Sequence, residues 1–414
     1  MSAPPVSKNI RPSHDGQKPA DTPASLNNYK SITAENQPPA GCLQGSVAQV
    51  VFPFKKPLGK LIDSVLRIDL SIKCAAGDAG GYLSLAPTTY WFDRREDMYG
   101  QQVLETQDSD QIHLSTLAFL TDQEYSTLAE AVNIGADGNF KVDDLIHVTT
   151  SATKRTFWLP IWSGLIHSAQ PFVRGFKDEW KLRFTTAVQG IVNSYKTTEV
   201  STGGTNADAN DLQISVAGMT LYATEAELSA SAQLNLERAH KRQIVYRCIS
   251  QSKFSANESS IGASSEYQKT LTSLSSPTAG VAVFIKPSST AVGDCLTKYP
   301  VAEIGLLDGS KKEIVQRLPE GLVRYFIQPE SVPLTSHITD SNVQSYYIFP
   351  FCANLLDVLE TGQTNGGLQM TGDELVVFRP DADLDEPVSV VVVAYQYAHI
   401  VVSDGVPTLR KTTF

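Results

Sequence analysis

The stretch Tyr346-Tyr347-Ile348-Phe349-Pro350-Phe351-Cys352 opens a segment, Ser345 to Val402, from which the rest of the chain can be read. A compact apolar and aromatic run closed by turn-forming and charged residues reads as a buried strand rather than a helix. A glycine-rich turn follows (Gly362 to Gly372), then a strand at Glu374 to Phe378, an acidic corner at Pro380 to Pro387 and a long strand at Val388 to Val402. This order of strand, long loop, strand, corner and long strand already occurs once upstream. Phe157-Trp158-Leu159-Pro160-Ile161-Trp162 precedes a turn at Gly175, a strand at Trp180 to Phe184 and a long strand at Leu212 to Tyr222. One β unit is written twice in the chain.

The length, 414 residues, exceeds one ordinary core and predicts two domains of roughly 200 residues each. A content of 42% hydrophobic and 19% charged residues belongs to a folded globular chain, and β-branched and aromatic runs punctuated by Gly, Pro, Asn and Asp point to an all-β protein. The net charge of -10 makes the surface as a whole repel phosphate backbones, which excludes nucleic acid as the main partner. Five scattered cysteines (Cys42, Cys74, Cys248, Cys295, Cys352) include no C-x-x-C pair and read as buried free thiols of a protein made in a reducing cytosol. Residues 1–25 lack the basic start and apolar core of a signal peptide. The longest apolar run, Val388 to Val402, is broken by Ser389, Gln396 and His399 and is too short to span a membrane.

Residues 1–41 hold seven prolines and few apolar side chains, so they are expected to form a flexible arm; Lys8, Arg11, Lys18 and Lys30 against Asp15, Asp21 and Glu35 leave it nearly neutral. Strands are expected from Val47 to Phe54 and from Leu61 to Cys74, where apolar and polar residues largely alternate. Tyr82 to Phe92 is apolar and ends on Asp93-Arg94-Arg95-Glu96-Asp97, read as a solvated or locally ion-paired strand end rather than a catalytic carboxylate pair. A capping box at Thr121 to Glu124 predicts a helix over Asp122 to Val132, and Ala223 to His240 is rich in helix formers. In the second half, strands are expected at Gln243 to Phe254, Val281 to Lys286, Ala302 to Leu307, Lys311 to Val315 and Leu322 to Gln328, with Asp308-Gly309 as a hairpin turn. Each half thus supplies about the eight strands of a jelly roll.

The chain has no phosphate-binding glycine loop, no G-x-S-x-G and no H-E-x-x-H. Its histidines (His14, His113, His147, His167, His240, His337, His399) never form the H-x-H pair of metal-binding cupins. The carboxylates at Asp143-Asp144 and at Asp381, Asp383, Asp385 and Glu386 lack calcium-loop spacing and read as solvated loop charges. Trp91, Trp158, Trp162 and Trp180 read as core residues rather than a sugar-stacking platform, with Trp162 beside Ser163-Gly164 at a rim. No catalytic, cofactor-binding or metal-binding residue is therefore assigned.

The order of these patterns resembles the double jelly-roll major capsid proteins of tailless icosahedral double-stranded DNA viruses, the lineage of adenovirus hexon and of the virophage and polinton-like groups. The resemblance is carried by Tyr82 to Pro87, Trp91 to Arg94, Gln101 to Thr106, Phe157 to Ile161, Tyr346 to Phe351, Gly366 to Phe378 and Val390 to Gly405. It implies an arm at residues 1–45, a first jelly roll at 46–223, a helical connection at 224–242 and a second jelly roll at 243–414. It implies further a non-enzymatic shell protein without cofactors, made in the host cytosol and located in the virion. Its partners would be itself, as a pseudo-hexagonal homotrimer and with neighbouring capsomers, together with penton and minor capsid proteins and any internal membrane. Two other classes fit a double β-sandwich: a carbohydrate- or receptor-binding protein, and a bicupin-like metalloenzyme.

Overall fold

The structure, a computed structural model, describes residues 25–54, 59–74, 80–119, 146–196, 212–272, 274, 276–288, 299, 301–323, 327 and 345–411. The first half contains β1 (Ser25–Thr33), β2 (Gln49–Phe54), β3 (Lys60–Cys74), β4 (Gly81–Leu85), β5 (Phe92–Tyr99), β6 (Gln102–Asp108), helix α1 (Ser109–Phe119), β7 (Ile146–Val148), β8 (Thr153–Ile161), β9 (Trp180–Thr186), β10 (Val192–Lys196) and β11 (Leu212–Glu227). Helix α2 (Ala230–Arg242) then leads into β12 (Gln243–Glu258), β13 (Tyr267–Thr270), β14 (Pro277–Pro287), β15 (Val301–Leu307), β16 (Glu313–Pro319) and β17 (Ser345–Pro350). Helix α3 (Leu355–Thr361), β18 (Leu368–Gln369), β19 (Leu375–Pro380), β20 (Val388–Ser403) and β21 (Val406–Lys411) complete the second half.

The strand orders show that the two halves are one design used twice. In the first, β1-β11-β3-β8 forms one sheet and β2-β9-β5-β6 another, with β10-β4-β7 as a small extra sheet. In the second, the sheets are β12-β20-β14-β17 and β13-β19-β15-β16. Leaving aside the extra strands and counting the remaining eight of each half in chain order, both give 1-8-3-6 and 2-7-4-5. All of these pairs are antiparallel, the arrangement of a two-sheet jelly roll. Each roll encloses a core, and the first runs on into the end of the second roll, taking in Ile244, Tyr246 and Cys248 of β12 and Ile400 and Val402 of β20. Leu66, Ile68 and Leu70 of β3 face Val50 and Phe52 of β2 and Leu182 of β9 in the first, and Val281, Val390 and Val392 face Ile304, Leu306 and Phe378 in the second.

β20 explains why its sequence is nearly all apolar. Val388, Val390, Val392 and Ala394 point into the core of the second roll, while Val391, Val393, Tyr395 and Tyr397 sit in a separate cluster on the other face. A strand buried on both faces loses the polar alternation of a half-exposed one. The strand ends in a two-residue turn, Asp404-Gly405, with φ of 51° and 73°, the left-handed pair that a tight hairpin into β21 requires.

Several sequence expectations need correction. The arm expected at residues 1–45 is shorter, because Ser25–Thr33 is a strand paired with β11 from Ser25 opposite Glu227 to Thr33 opposite Thr220, and Cys42 and Leu43 are fully buried. The first roll therefore includes residues from Ser25, whereas 1–24 lie outside the described residues. The helical connection starts at Ala230, where the Ser229 hydroxyl caps the Ala232 N–H, and not at 224. Glu225 and Ala226 favour helices but pair with Leu61 and Lys60 of β3, so sheet formation overrides propensity. The helix expected at Asp122–Val132 lies outside the described residues; α1 precedes it. Leu322 closes a helical turn, Glu320–Leu322, instead of opening a strand. Helix α3 was missed altogether, although Asn354 caps it by accepting from the Asp357 N–H at 3.0 Å and Gly362 ends it in the left-handed region at φ 64°.

Candidate assembly interface

The two rolls meet where α1 and the turn after β8 lie against the outer face of the β12-β20-β14-β17 sheet. Leu114 of α1 and Trp162 join Ile249, Phe284, Ile348, Val391, Val393 and Tyr395 in one buried cluster, together with Leu355, Val358 and Leu359 of α3. The Trp162 ring meets Tyr395 edge-on at 6.4 Å. Trp162, expected at a rim, is thus a central anchor of the joint. The chain backs onto β12 so closely at Gly164 that a Cβ there would overlap the Ile249 carbonyl oxygen. Gly164→Ala is expected to cost at least about 1–3 kcal/mol in chemical denaturation, because backbone rather than a movable side chain must give way.

Beside this apolar contact lies a buried ionic one, in which the local ion pairing expected at Asp93 to Asp97 is found, but within strand β5 and largely buried rather than at a solvated strand end. These residues are in β5, paired on both sides by β6 and β9. Asp93 and Arg94 are exposed, but Arg95 and Asp97 are each 1% exposed. Arg95 donates to the Trp162 carbonyl at 2.6 Å and pairs with Asp97 at 3.3 Å, while Asp97 also accepts from the Ser163 hydroxyl at 3.0 Å. Glu105 of β6 reaches across to the second roll, accepting from the Ser250 hydroxyl and the Gln251 N–H, both at 2.9 Å. Burial, and then the nearby Asp97 charge, push the Glu105 carboxyl up to about 7. Asp97 is likewise raised by burial, against the pull of Arg95. A second bridge between the rolls joins Asp110 of α1 to Lys253 at 2.6 Å and to Lys286. Burial alone would raise Asp110, but the two ammonium groups hold it below the usual carboxylate range.

Among the described residues, the matching sheet face on the first roll has no comparable cover. The register aligns Tyr222 with Val65 and Pro160, and Thr220 with Arg67 and Trp158. All six of these residues are partly exposed. Trp158 and Tyr222 are 5.9 Å apart, and the Arg67 guanidinium lies 5.9 Å over the Trp158 ring while pairing with Asp69 at 3.0 Å. Trp158 is therefore a surface aromatic, whereas Trp91 and Trp180 are core residues as expected.

The remaining candidate residues are dispersed. His113 is buried with Nδ1 at 2.9 Å from the Thr89 hydroxyl, and His240 is buried with Nε2 at 2.6 Å from the Tyr246 hydroxyl, its pKa pushed down by burial to about 4. The His147 ring lies 5.1 Å from that of Tyr82 and is tilted 44° to it, His167 lies 3.1 Å from Asp63, and His399 is on β20. Asp383 accepts from the Ala263 N–H at 2.6 Å and Glu386 from the Tyr299 hydroxyl at 3.1 Å. Cys42, Cys74 and Cys248 are buried free thiols and Cys352 is half-buried. Among the described residues no three His, Cys, Asp or Glu side chains gather in a way that could hold a metal ion. His14, His337, Cys295 and Asp143-Asp144 lie outside the described residues.

No protein-family model matches the sequence, and no curated protein is similar to it. Solved structures do match over nearly the whole chain. VP54 of PBCV-1, a crystal structure fitted into a reconstruction of the virophage Sputnik, superposes with a TM-score of 0.66 at 12% identity, covering 94% of this chain and 98% of that one. The Faustovirus major capsid protein gives 0.60 at 9% identity over 96% and 93%. The mavirus major capsid protein gives 0.54 at 12% identity over 100% and 97%. The chain has the fold of viral major capsid proteins. At these identities the likeness is one of architecture.

Proposed function

We propose that this chain is a structural major capsid protein, three copies of which form a pseudo-hexagonal capsomer in an icosahedral virion shell. The observation that carries this reading is the asymmetry between two equivalent faces. The outer face of the second roll is buried under the first roll and α3, whereas among the described residues nothing comparable covers the same face of the first roll, where Trp158, Tyr222, Val65 and Pro160 stay partly exposed. A neighbouring copy whose second roll covers it as the first roll covers the second repairs that asymmetry, and six similar rolls then close a ring of three chains. The counterparts of Leu114 and Trp162 on the second roll are Leu322, 41% exposed just after β16, and the half-buried Phe351 and Cys352 just after β17. Permanent interfaces of this kind bury roughly 2,000 Å² or more and resist salt. Such a role requires no catalytic site, and the virion is where it would be exercised; no helix among the described residues is long and apolar enough to cross a membrane.

Trp158→Glu and Leu322→Glu test the pairing from both sides. Each is expected to leave the fold intact by circular dichroism while shifting the protein from trimer to monomer in size-exclusion chromatography with light scattering. Trimers that persist in both variants would count against this interface. The exposed Trp158–Tyr222 pair also suits a sugar ring, and a glycan-binding monomer is the competing reading. It would show as saturable glycan binding lost on Trp158→Ala, with no trimer at any concentration.

A further inference from the structure

Because the two rolls share one strand order, positions on the outer face of one have counterparts on the other. In the second roll Lys286 is the last residue but one of β14 and lies opposite Ser389, the second residue of β20. In the first, Lys73 is the last but one of β3 and lies opposite Gln213, the second residue of β11. One row further in, Phe284 stands between Tyr346 and Val391, and its counterpart Ser71 stands between Lys154 and Ser215. A row that is apolar and buried on the second roll is polar on the first, where Lys73 and Lys154 are exposed. These two lysines are diagonal neighbours on antiparallel strands, about 7–8 Å apart, close enough to share one anion. Among the described residues no carboxylate pairs with either.

The end of the second roll's face that holds Lys286 is met by Asp110, the second residue after the fifth strand of the first roll, β6, and Asp110 binds Lys286 and Lys253 together. The fifth strand of the second roll is β16, and the first residue after it is Glu320. The fully buried Tyr347 donates its hydroxyl to the half-buried Glu320 at 3.0 Å, which holds this carboxylate two residues before the exposed Leu322. A carboxylate has about four acceptor sites, so bonds within the chain do not exclude lysine donors of another molecule.

We propose that Lys73 and Lys154 are the ionic part of the contact between copies, and that together they take the Glu320 carboxylate of a neighbouring second roll, as Lys286 and Lys253 take Asp110 within one chain. This rests on the trimeric reading above and gives that contact its register. The same two-lysine clamp then recurs six times around the ring, three times within chains and three times between them. Once covered by the neighbour, such a pair is screened little by salt. It also selects the right neighbour: two uncovered first-roll faces set against each other bring four lysines into one contact, and like charges there disfavour a closed dimer.

A carbodiimide joins a carboxylate directly to an amine in contact with it, and it can be applied to the unmutated full-length protein at micromolar concentration. Chains linked in twos and threes on a denaturing gel are expected, and mass spectrometry of those bands should show Glu320 joined to Lys73 or Lys154. Lys73→Glu with Lys154→Glu, and separately Glu320→Lys, are expected to raise the concentration at which half the chains are trimers about tenfold or more. All three substitutions together should bring it back toward the parent's. The cross-link is read on unmutated protein, so the outcome does not rest on the variants folding. A parent that sediments as a trimer but yields no such bond, or whose trimer withstands both reversals, overturns this pair and leaves the trimeric reading standing. So does a combined variant that is folded by circular dichroism and recovers nothing. A parent that stays monomeric as its concentration rises overturns both.

Discussion

Arg95→Ala is expected to lower the unfolding free energy by about 3–5 kcal/mol, the usual cost of removing one partner from a buried ion pair. The loss arises because Asp97, 1% exposed, keeps its charge without the guanidinium, and because the Trp162 carbonyl loses its donor. Protonation of Asp97 offers a partial escape, so the deficit should shrink as pH falls. Arg95→Met combined with Asp97→Leu should regain most of the stability, since apolar residues of similar volume often replace such pairs without penalty. Urea titrations of the single and double variants measure both effects. A single variant within about 1 kcal/mol of the parent would mean that Arg95 is not held in the joint as described.

The second large effect concerns pH. Glu105 is pushed up to about 7 in the folded protein from its ordinary value of 4.5, so its neutral form is favoured by folding. A carboxyl with a raised folded pKa contributes stability that is complete below the unfolded pKa and is lost as pH rises through the folded one. At 1.36 kcal/mol for each unit, the joint should lose about 2–3 kcal/mol between pH 5 and pH 8. Glu105→Gln keeps an acceptor for Ser250 and Gln251 and cannot ionise. It should lose the decline that Glu105 causes and keep only the gain that His240, held near 4 when folded, gives as pH rises toward 6.5, so that its midpoint lies above the parent's at pH 8. Equal pH slopes in parent and variant would remove Glu105 from this account.

How much of this was legible in the sequence depended on whether a feature is local. The repeat was visible because strand identity is written in short windows: Phe157 to Trp162 and Tyr346 to Cys352 announce the sixth strand of each roll, and Val388 to Val402 shows a strand buried on both faces. The turn expected at Asp308-Gly309 does join two paired strands, β15 and β16. The joint was not legible. Asp93 to Asp97 looks like a solvated charge cluster because nothing nearby says that Arg95 will meet Trp162, or that Glu105 will meet Ser250 from the other roll. β1 was hidden for a different reason: Leu26, Tyr29 and Ile32 are spaced by three rather than two and lie next to a proline-rich tract. The surface role of Trp158 depends on which face of β8 turns outward, and one-residue alternation alone does not say which face a neighbour covers.

The central claim is that the uncovered face of the first roll is one half of a subunit contact that closes after three copies. Sedimentation equilibrium of the full-length protein at micromolar concentration, in low and in high salt, measures this directly. The account predicts a single species of three times the chain mass that persists in high salt and comes apart only under denaturing conditions. A protein that remains monomeric as its concentration rises would contradict it, and would leave the exposed Trp158 face to a ligand rather than to another copy of the chain.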